Sequence, residues 1–275
     1  MLDLSAAFDT IDHQLLYQRL QTMFHINHSA LQWIKSYLTD RVQTVKISDY
    51  FSSPANVDFG VPQGSVLGPI LFSMYVTPLA TITSKHGLSY HFYADDSQLY
   101  VSFNPRVNFQ ASIHSLEECI SEIRDWMCLN MLKLNDDKSE FIVFGSKYSM
   151  SLVNSLSIKI GESAIESVDS VRNLGAVLDK HTNMEKFVNQ KIKSCMYFIR
   201  NINRIRKYLT TEATKTLLQA YVISRLDYAN SLLYGISAIH MHRLQLVQNM
   251  AARVIFNQSK HSHVTPSSFN CIICP

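Results

Sequence analysis

The chain has 275 residues and a formal net charge of +3, and 47% of its residues are hydrophobic, enough for one large or two moderate buried cores. No apolar run reaches the ~18 residues of a membrane-spanning helix, and no basic-then-apolar leader opens the sequence, so we expect no membrane partner. Five cysteines without regular spacing favour reduced thiols in an intracellular compartment over a disulfide framework.

The small net charge conceals a contrast between two parts of the chain. Residues 1–185 carry 13 Lys or Arg against 20 acids, whereas residues 186–260 carry 12 against 2. Clustered carboxylates collect divalent cations, and clustered cations hold polyanions. The contrast therefore favours a nucleic-acid-binding protein with an acidic catalytic part, although lysine and arginine also serve only to solubilise many helices.

The first predicted element is a strand at residues 2–4, where the period of two separates Asp3 from its leucine neighbours. Asp12 can cap a following helix, Ser29 can begin a second, and residues 41–47 are β-prone. Residues 60–72 form a glycine-punctuated loop that leads into an apolar element. Gln63 stands between proline and glycine on this loop, where a backbone can come close to a ligand.

A β-hairpin is predicted from residues 88–93 and 99–103, with Asp95 and Asp96 at its tip. Two adjacent like charges at the end of an apolar strand repel each other and resist desolvation. A divalent cation would remove that repulsion. A solvated turn is the ordinary alternative for an isolated pair of acids.

The rest of the chain alternates between helical and β-prone patterns. We predict helices at 113–130, 183–207, 211–221 and 241–257, strands at 141–144, 158–160 and 171–178, and a serine-rich loop or linker at 147–157. The apolar face of the long helix at 183–207 contains Val188, Ile192, Cys195, Ile199 and Ile202.

Four segments carry a family resemblance. They are LDLSAAFDTIDH at 2–13, GVPQGSVLGPILF at 60–72, FYADD at 92–96 and LKLNDDKSEF at 132–141. In this order they resemble motifs A, B, C and D of reverse transcriptases, most closely those of non-LTR (LINE-like) retrotransposons, and the resemblance extends to about residue 266. It implies an α+β fold, in which a polymerase palm with an antiparallel sheet packed on helices precedes a mainly α-helical thumb.

The resemblance also implies a division into domains. The palm would cover residues 1–146, the linker 147–157, the palm–thumb connection and thumb 158–266, and a divergent tail 267–275. Because the match begins inside motif A, we expect a fragment without fingers or endonuclease that is weakly active or inactive alone. The alternative is a non-catalytic nucleic-acid-binding remnant of a decayed or co-opted retroelement. Nuclear action is implied by the resemblance only, since no clear basic targeting run is present.

The activity implied is that of an RNA-directed DNA polymerase, which adds deoxynucleoside triphosphates to a DNA primer on an RNA template. Two Mg²⁺ ions, or Mn²⁺, would be held by Asp3, Asp95 and Asp96 and would assist the phosphoryl transfer. Lys138 would act as a fourth catalytic group near the departing pyrophosphate, unless it is an ordinary solvated lysine.

Further roles come from the same resemblance. Phe8 would be a steric gate against a ribose 2′-hydroxyl, with an ordinary core phenylalanine as the alternative. Gln63 and Gly64 would contact the nascent base pair and the template backbone, and Tyr93 would pack near the primer terminus. In the thumb, the predicted nucleic-acid-binding cations are Lys191, Lys193, Arg200, Arg204, Arg206 and Lys207.

A zinc site near the end of the chain is a further alternative. His261, His263, Cys271 and Cys274 have the ligand types of such a site. The two histidines, however, lie in a segment, HSHVTP, that resembles ordinary thumb sequence of the family. The resemblance therefore favours a thumb segment over a metal site here.

Overall fold

The computed structural model describes residues 1–5, 7–153, 157–161, 163–259 and 262. The chain divides into two compact units. Unit 1 comprises the described parts of Met1–Phe141 and Tyr148–Ser167, and unit 2 comprises Ile142–Lys147 and the described part of Val168–Pro275. The segment that starts at residue 158 thus belongs at first to unit 1, whereas the sequence grouped it with the thumb. The alternative zinc ligands His261, His263, Cys271 and Cys274 lie outside the described residues.

Unit 1 combines helices with short antiparallel strands. Its strands are β1 (Asp3–Ser5), β2 (Val42–Gln43), β3 (Lys46–Ile47), β4 (Tyr50–Phe51), β5 (Ala55–Asn56), β6 (Ser89–Tyr93), β7 (Asp96–Tyr100), β8 (Lys133–Asn135), β9 (Ser157–Ile160) and β10 (Ser163–Glu166). Its helices are α1 (His13–Thr22), α2 (His28–Leu38), α3 (Gly68–Val76), α4 (Pro78–Lys85) and α5 (Phe109–Leu129), and a 3₁₀ turn covers Asp136–Lys138. The short helix α6 (Lys147–Ser151) lies at the boundary of the units, within the predicted linker.

Unit 2 is mainly helical. It contains β11 (Ser170–Asn173), β12 (Ala176–Asp179), α7 (Glu185–Ile205), α8 (Thr211–Leu218), α9 (Ser224–Asp227) and α10 (Ala238–Ile255). A π-helical turn, Gln219–Ile223, joins α8 to α9, and 3₁₀ turns cover Arg206–Tyr208 and Asn230–Leu233. Together the two units have the α+β class that the sequence predicted, while their assignment as palm and thumb stays a prediction.

Antiparallel pairing relates all six pairs of strands among the described residues. The pairs are β1–β8, β2–β5, β3–β4, β6–β7, β9–β10 and β11–β12. A single bridge between Leu2 and Ser97 adds the edge of β7 to β1. Asp3 is thereby placed between β8 and the hairpin of β6 and β7.

Local sequence explains where the first helix starts. Asp12 caps α1 by accepting a hydrogen bond from Leu15 N at 2.8 Å, as predicted, and Leu16 and Leu20 are fully buried. Met23 is 43% exposed, because the helix ends at Thr22. Among the described residues, no helix combines the length and apolar character that crossing a bilayer requires.

Two predicted strands differ in the structure. Counting only pairings between described residues, the segment at 141–144 makes one isolated bridge, from Phe141 to Ser167, since the chain passes from unit 1 to unit 2 after Phe141. The segment at 171–178 is a hairpin, because Leu174 and Gly175 both have positive φ, 44° and 82°, and close a two-residue turn between β11 and β12.

The core of unit 2 follows the predicted face of α7. Val188, Cys195, Ile199 and Ile202 are buried, and Ile192 is partly buried against them. The residues from other elements that complete this core include Leu218, Val222, Leu226, Leu244, Val247 and Ala251. Apolar spacing therefore identified the side of α7 that packs inward.

Candidate active site

The bridge between Leu2 and Ser97 brings the three predicted metal ligands together. Leu2 N donates to Ser97 O at 2.8 Å, and Asp3 pairs in register with Asn135 of β8. Because the bridge is antiparallel and Asp96 precedes Ser97, Asp3 lies beside the start of β7. Acids that are separated by more than 90 residues of sequence thus become neighbours on adjacent strands.

The hairpin is tighter than predicted. Its second strand begins at Asp96 rather than at Leu99, and Asp96 pairs with Tyr93, so that Ala94 and Asp95 form the turn. Ala94 has a positive φ of 52°, which a two-residue turn requires. Asp95 therefore stands at the tip and Asp96 at the head of a strand, both exposed, while Tyr93 is 60% exposed.

The acids form one electrostatic group. Partial desolvation raises the pKa of the Asp96 carboxyl, and the negative charges of Asp95 and Asp3 raise it further. Among the described residues, the charges that shift this pKa are thus both acidic. The folded chain therefore holds negative charge here that a cation would stabilise.

The glycine loop is bound to the segment that follows β1. Val61 N donates to Phe8 O, and Gly60 N donates to Ile11 O, both at 2.8 Å. His13 Nε2 donates to Gly60 O at 2.7 Å. Gly60 has a φ of +83°, and a Cβ there would lie 2.8 Å from the carbonyl oxygens of both Phe8 and Asp9, so this close approach requires glycine.

A cleft of about 490 Å³ lies where these segments meet. The residues that line it are Leu4, Ala7, Phe8, Pro62, Gln63, Gly64, Ser65, Gly68, Pro69 and Asp95. Four of the predicted site residues, Phe8, Gln63, Gly64 and Asp95, are thus in one place. Lys138 is exposed in its 3₁₀ turn and is not among the residues that line the cleft.

Two contacts in this region involve residues that sequence reasoning did not single out. Gln63 Nε2 donates to both carboxylate oxygens of Asp9, at 2.9 and 3.0 Å. The ring of Phe8 packs on the fully buried ring of Phe72, with centroids 5.0 Å apart. Asp9 and Phe72 both lie inside the quoted motifs, but spacing alone does not show that they touch Gln63 and Phe8.

The predicted cations of unit 2 fall into two groups. Lys193, Arg200, Arg204 and Lys207 are exposed, as nucleic-acid binding requires. Lys191 and Arg206 do not fit their predicted role, because their charged groups are occupied by backbone carbonyls. Lys191 Nζ donates to the carbonyls of residues 225, 226 and 228, and Arg206 donates to those of residues 209, 254 and 255.

The donor set at the head of β7 suits a hard divalent cation, although the side chains are not arranged around one. Among the described residues, no three His, Cys, Asp or Glu side chains form a ready-made metal cluster. Asp3, Asp95 and Asp96 nevertheless supply carboxylate oxygens, the ligands that Mg²⁺ prefers, and their mutual repulsion is not balanced within the group. These three residues would hold the ion.

Comparison with known proteins agrees with the motifs. The family model described as reverse transcriptase (RNA-dependent DNA polymerase) matches residues 1–178. The probable RNA-directed DNA polymerase from transposon BS of Drosophila melanogaster is 26% identical over 262 residues, and the RNA-directed DNA polymerase from mobile element jockey of the same species is 24% identical over 267 residues. Each match covers 92% of this chain and 28% of the relative, so the chain spans 28% of the length of these relatives.

A solved structure with some likeness is that of telomerase from Candida albicans in complex with a fragment of telomeric RNA. It has 14% sequence identity and a TM-score of 0.39, and the match covers 93% of this chain and 43% of that one. The family assignment rests on the sequence comparisons, in which the matched family model covers well over half of the chain. The chain belongs to the reverse transcriptase family and is related to the RNA-directed DNA polymerases of non-LTR retrotransposons.

Proposed function

We propose that this chain provides the catalytic carboxylates of an RNA-directed DNA polymerase, which extends a DNA primer on an RNA template by two-metal phosphoryl transfer. The observation that carries the proposal is the meeting of Asp3 with Asp95 and Asp96 across the bridge from Leu2 to Ser97. The cleft beside Asp95 supports it, since its walls come from three of the four motifs.

The acids have the properties that this reaction needs. Bound at Asp3, Asp95 and Asp96, two Mg²⁺ ions, or Mn²⁺, would supply activation of the primer 3′-oxygen and stabilisation of the charge at phosphorus. The chain's own contribution is to hold three carboxylates close together, on β1, in the β6–β7 turn and at the start of β7. Desolvation and the repulsion among them raise the pKa of Asp96. Hydrogen bonds between β1 and β8 fix the position of Asp3.

The cleft would select and align the nucleotide. The ring of Phe8 lines the cleft and packs against the ring of Phe72. The 2′-hydroxyl of a ribonucleotide in the cleft would therefore collide with a ring that is held in place. Asp9 accepts both contacts from Gln63 Nε2, which orients that amide. A Cβ at Gly64 would have nothing within 4 Å, so a template backbone can come close to this residue.

The exposed cations of unit 2 would bind the phosphates of template and primer. Lys193, Arg200, Arg204 and Lys207 are available for this role, and Lys138 would lie near the departing pyrophosphate. The same cations also support the second candidate function, a nucleic-acid-binding protein without catalysis. Nuclear action remains a proposal that follows from the family.

Primer extension tests the reaction. The purified chain would be supplied with an RNA template, a DNA primer, Mg²⁺ and deoxynucleotides, next to a variant with Asp95→Asn and Asp96→Asn. We expect extension by the native chain alone to be weak or absent, any extension to be lost in the variant, and duplex binding to be retained by both. Equal extension by both proteins would refute the assignment of the acids.

A metal titration gives a readout that does not depend on turnover. Mn²⁺ binding, followed by electron paramagnetic resonance, should show ions bound to the native chain and weaker binding to the double variant, because two carboxylate ligands become amides. If neither protein extends a primer and Mn²⁺ binding is equal, while RNA binding persists and weakens with salt, the non-catalytic function is the better one.

A further inference from the structure

The exposed face of α7 combines cations with an aromatic ring. Lys193, Tyr197, Arg200 and Arg204 are spaced by four, three and four residues, which places them in one row along the helix. All four are exposed, and Tyr197 keeps 61% of its surface in solvent. We call Lys193, Arg200 and Arg204 the basic stripe.

Beside this stripe lies a set of stacked rings. The ring of Phe198 meets that of Tyr197 edge to face at 5.2 Å and stacks on that of Tyr221 at 5.1 Å, with planes 15° apart. The guanidinium of Arg225 lies over the ring of Phe198, 4.2 Å from its centroid. Tyr197, Phe198, Tyr221 and Arg225 form the aromatic platform, of which Tyr221 is 44% exposed.

The backbone holds this platform in place. Tyr221 belongs to the π-helical turn Gln219–Ile223, and its neighbours Val222 and Ile223 are buried in the core of unit 2. A π-helical turn widens the helix by one residue and often accompanies a functional position. Arg225 is fixed as well, since its Nη1 donates to Tyr221 O at 2.9 Å. The platform is therefore built before any ligand arrives.

The composition of the surface identifies the ligand. Unpaired nucleotides offer phosphates for cations and base faces for aromatic rings, and proteins bind single strands by combining a basic track with stacking side chains. Paired bases are already stacked on each other and cannot use such rings. The excess of 12 cations over 2 acids at 186–260 complements a polyanion and excludes a basic partner.

We propose that unit 2 binds an unpaired segment of a nucleic acid strand here, with bases stacked on the aromatic platform and phosphates along the basic stripe. This goes beyond the polymerase reaction, which needs no stacking at this surface. It rests on the proposed binding of nucleic acid by unit 2 but not on catalysis by the acids of unit 1.

The test measures binding without Mg²⁺ or nucleotides, by fluorescence anisotropy of labelled single-stranded RNA, single-stranded DNA and duplex, over a range of salt concentrations. We expect Tyr197→Leu and Tyr221→Leu each to weaken single-strand binding by about 5- to 20-fold, since stacked aromatics contribute substantially per base. The slope of log affinity against log salt should not change. Arg200→Gln should instead reduce the magnitude of that slope by about 0.7.

Tyr234→Leu is the matched control, because Tyr234 is a tyrosine of unit 2 that is 88% exposed and lies outside the platform. Leucine keeps apolar bulk at each site, and thermal melts establish that each variant is folded. The proposal is overturned if both platform variants bind single strands like the native chain, if they lose duplex and single-strand affinity equally, or if Tyr234→Leu loses as much.

The two proposals fail separately. A chain that extends primers but whose platform variants bind normally would remove only the stacking site. A chain that extends no primer but loses single-strand affinity in Tyr197→Leu and Tyr221→Leu would remove only the polymerase assignment. Loss on both RNA and DNA supports stacking of bases, and loss on RNA alone supports a platform that also selects the ribose.

Discussion

The two units treat concentrated charge in opposite ways. In unit 2, Lys191 is buried, but its ammonium donates to three backbone carbonyls at 2.7, 3.2 and 2.5 Å and lies 4.7 Å from the ring of Phe187. In unit 1, Asp96 is exposed, yet the charges that shift its pKa, those of Asp95 and Asp3, have the same sign as its own. The lysine has its partners inside the fold, and for the acids we propose one from outside.

This difference separates a charge with a structural role from charges for which we propose a ligand. Burial lowers the pKa of the Lys191 ammonium, and the nearby Cys195 and Asp227 offset part of that effect. The side chain therefore acts as a cross-link between α7 and the end of α9. Within the part of the chain that the structure describes, the carboxylates of Asp3, Asp95 and Asp96 are not seen to form such a cross-link, and a bound cation is the partner that we propose for them.

The largest effect on stability is expected at Lys191, whose charge is hydrogen-bonded inside the fold. Lys191→Met keeps the apolar stem but removes the ammonium donor from the carbonyls of residues 225, 226 and 228, so we expect a loss of about 3 kcal/mol in the free energy of unfolding. Urea denaturation measures it. Lys193→Met, two residues away and exposed, should change stability by no more than about 0.5 kcal/mol. Equal effects at the two lysines would abolish the distinction.

Two glycines of the cleft provide a second comparison of matched substitutions. Gly60 and Gly64 both have positive φ, 83° and 76°, but only at Gly60 would a Cβ collide with backbone oxygens. We expect Gly64→Ala to cost about 1 kcal/mol from conformational strain alone. Gly60→Ala should cost about 3 kcal/mol, because the contact with residues 8 and 9 must also open. Thermal unfolding of both variants decides whether the close approach exists.

Removing the charge of Asp96 should change stability in the opposite direction to removing that of Lys191. Asp96→Asn removes one of three repelling charges, and we expect it to stabilise the metal-free chain by about 0.5 kcal/mol after allowance for solvent screening. Addition of Mg²⁺ should then raise the melting temperature of the native chain more than that of the variant. A native chain that is indifferent to Mg²⁺, or a destabilised variant, would contradict an unbalanced acidic group.

The smallest effect concerns pH and compares two acids of unit 1. Glu122 accepts from Lys85 and His86, which hold its pKa below the usual 4.5, so its contribution to stability is lost as pH falls through that region. Asp96 has a raised pKa, so its repulsion is relieved as pH falls from neutral through its folded pKa. Urea titrations across this range should show a weaker acid loss in Glu122→Gln and a stronger one in Asp96→Asn.

Much of the architecture was readable from residue spacing. The period of two at residues 2–4 predicted the strand that carries Asp3, the hairpin was predicted with Asp95 at its tip, and Asp12 predicted the start of α1. Spacing could not show that β1 pairs with β8, or that Asp9 meets Gln63, because those contacts join segments far apart in the chain.

The errors have identifiable causes. Lys191 follows Val188 by three residues and precedes Cys195 by four, so its position on the apolar face of α7 was visible, but charge was given more weight than spacing. Arg206 directly follows the same helix, where the last carbonyls of α10 are within its reach, and only the tertiary structure reveals that. Residues 171–178 were predicted as a single strand, although the glycine at 175 indicated the turn that Leu174 and Gly175 form with positive φ.

The short strand β1 has a consequence for the order of folding. Its contacts close very long loops, since Asp3 N reaches Ser139 Oγ across 136 residues at 3.4 Å and Leu2 reaches Ser97. Closing such a long loop costs chain entropy before the stabilising contacts form. We therefore expect β1 to dock late in folding and to detach first in unfolding. Native-state hydrogen exchange at Leu2 and Leu4 should then report an opening of the acidic group that occurs without global unfolding.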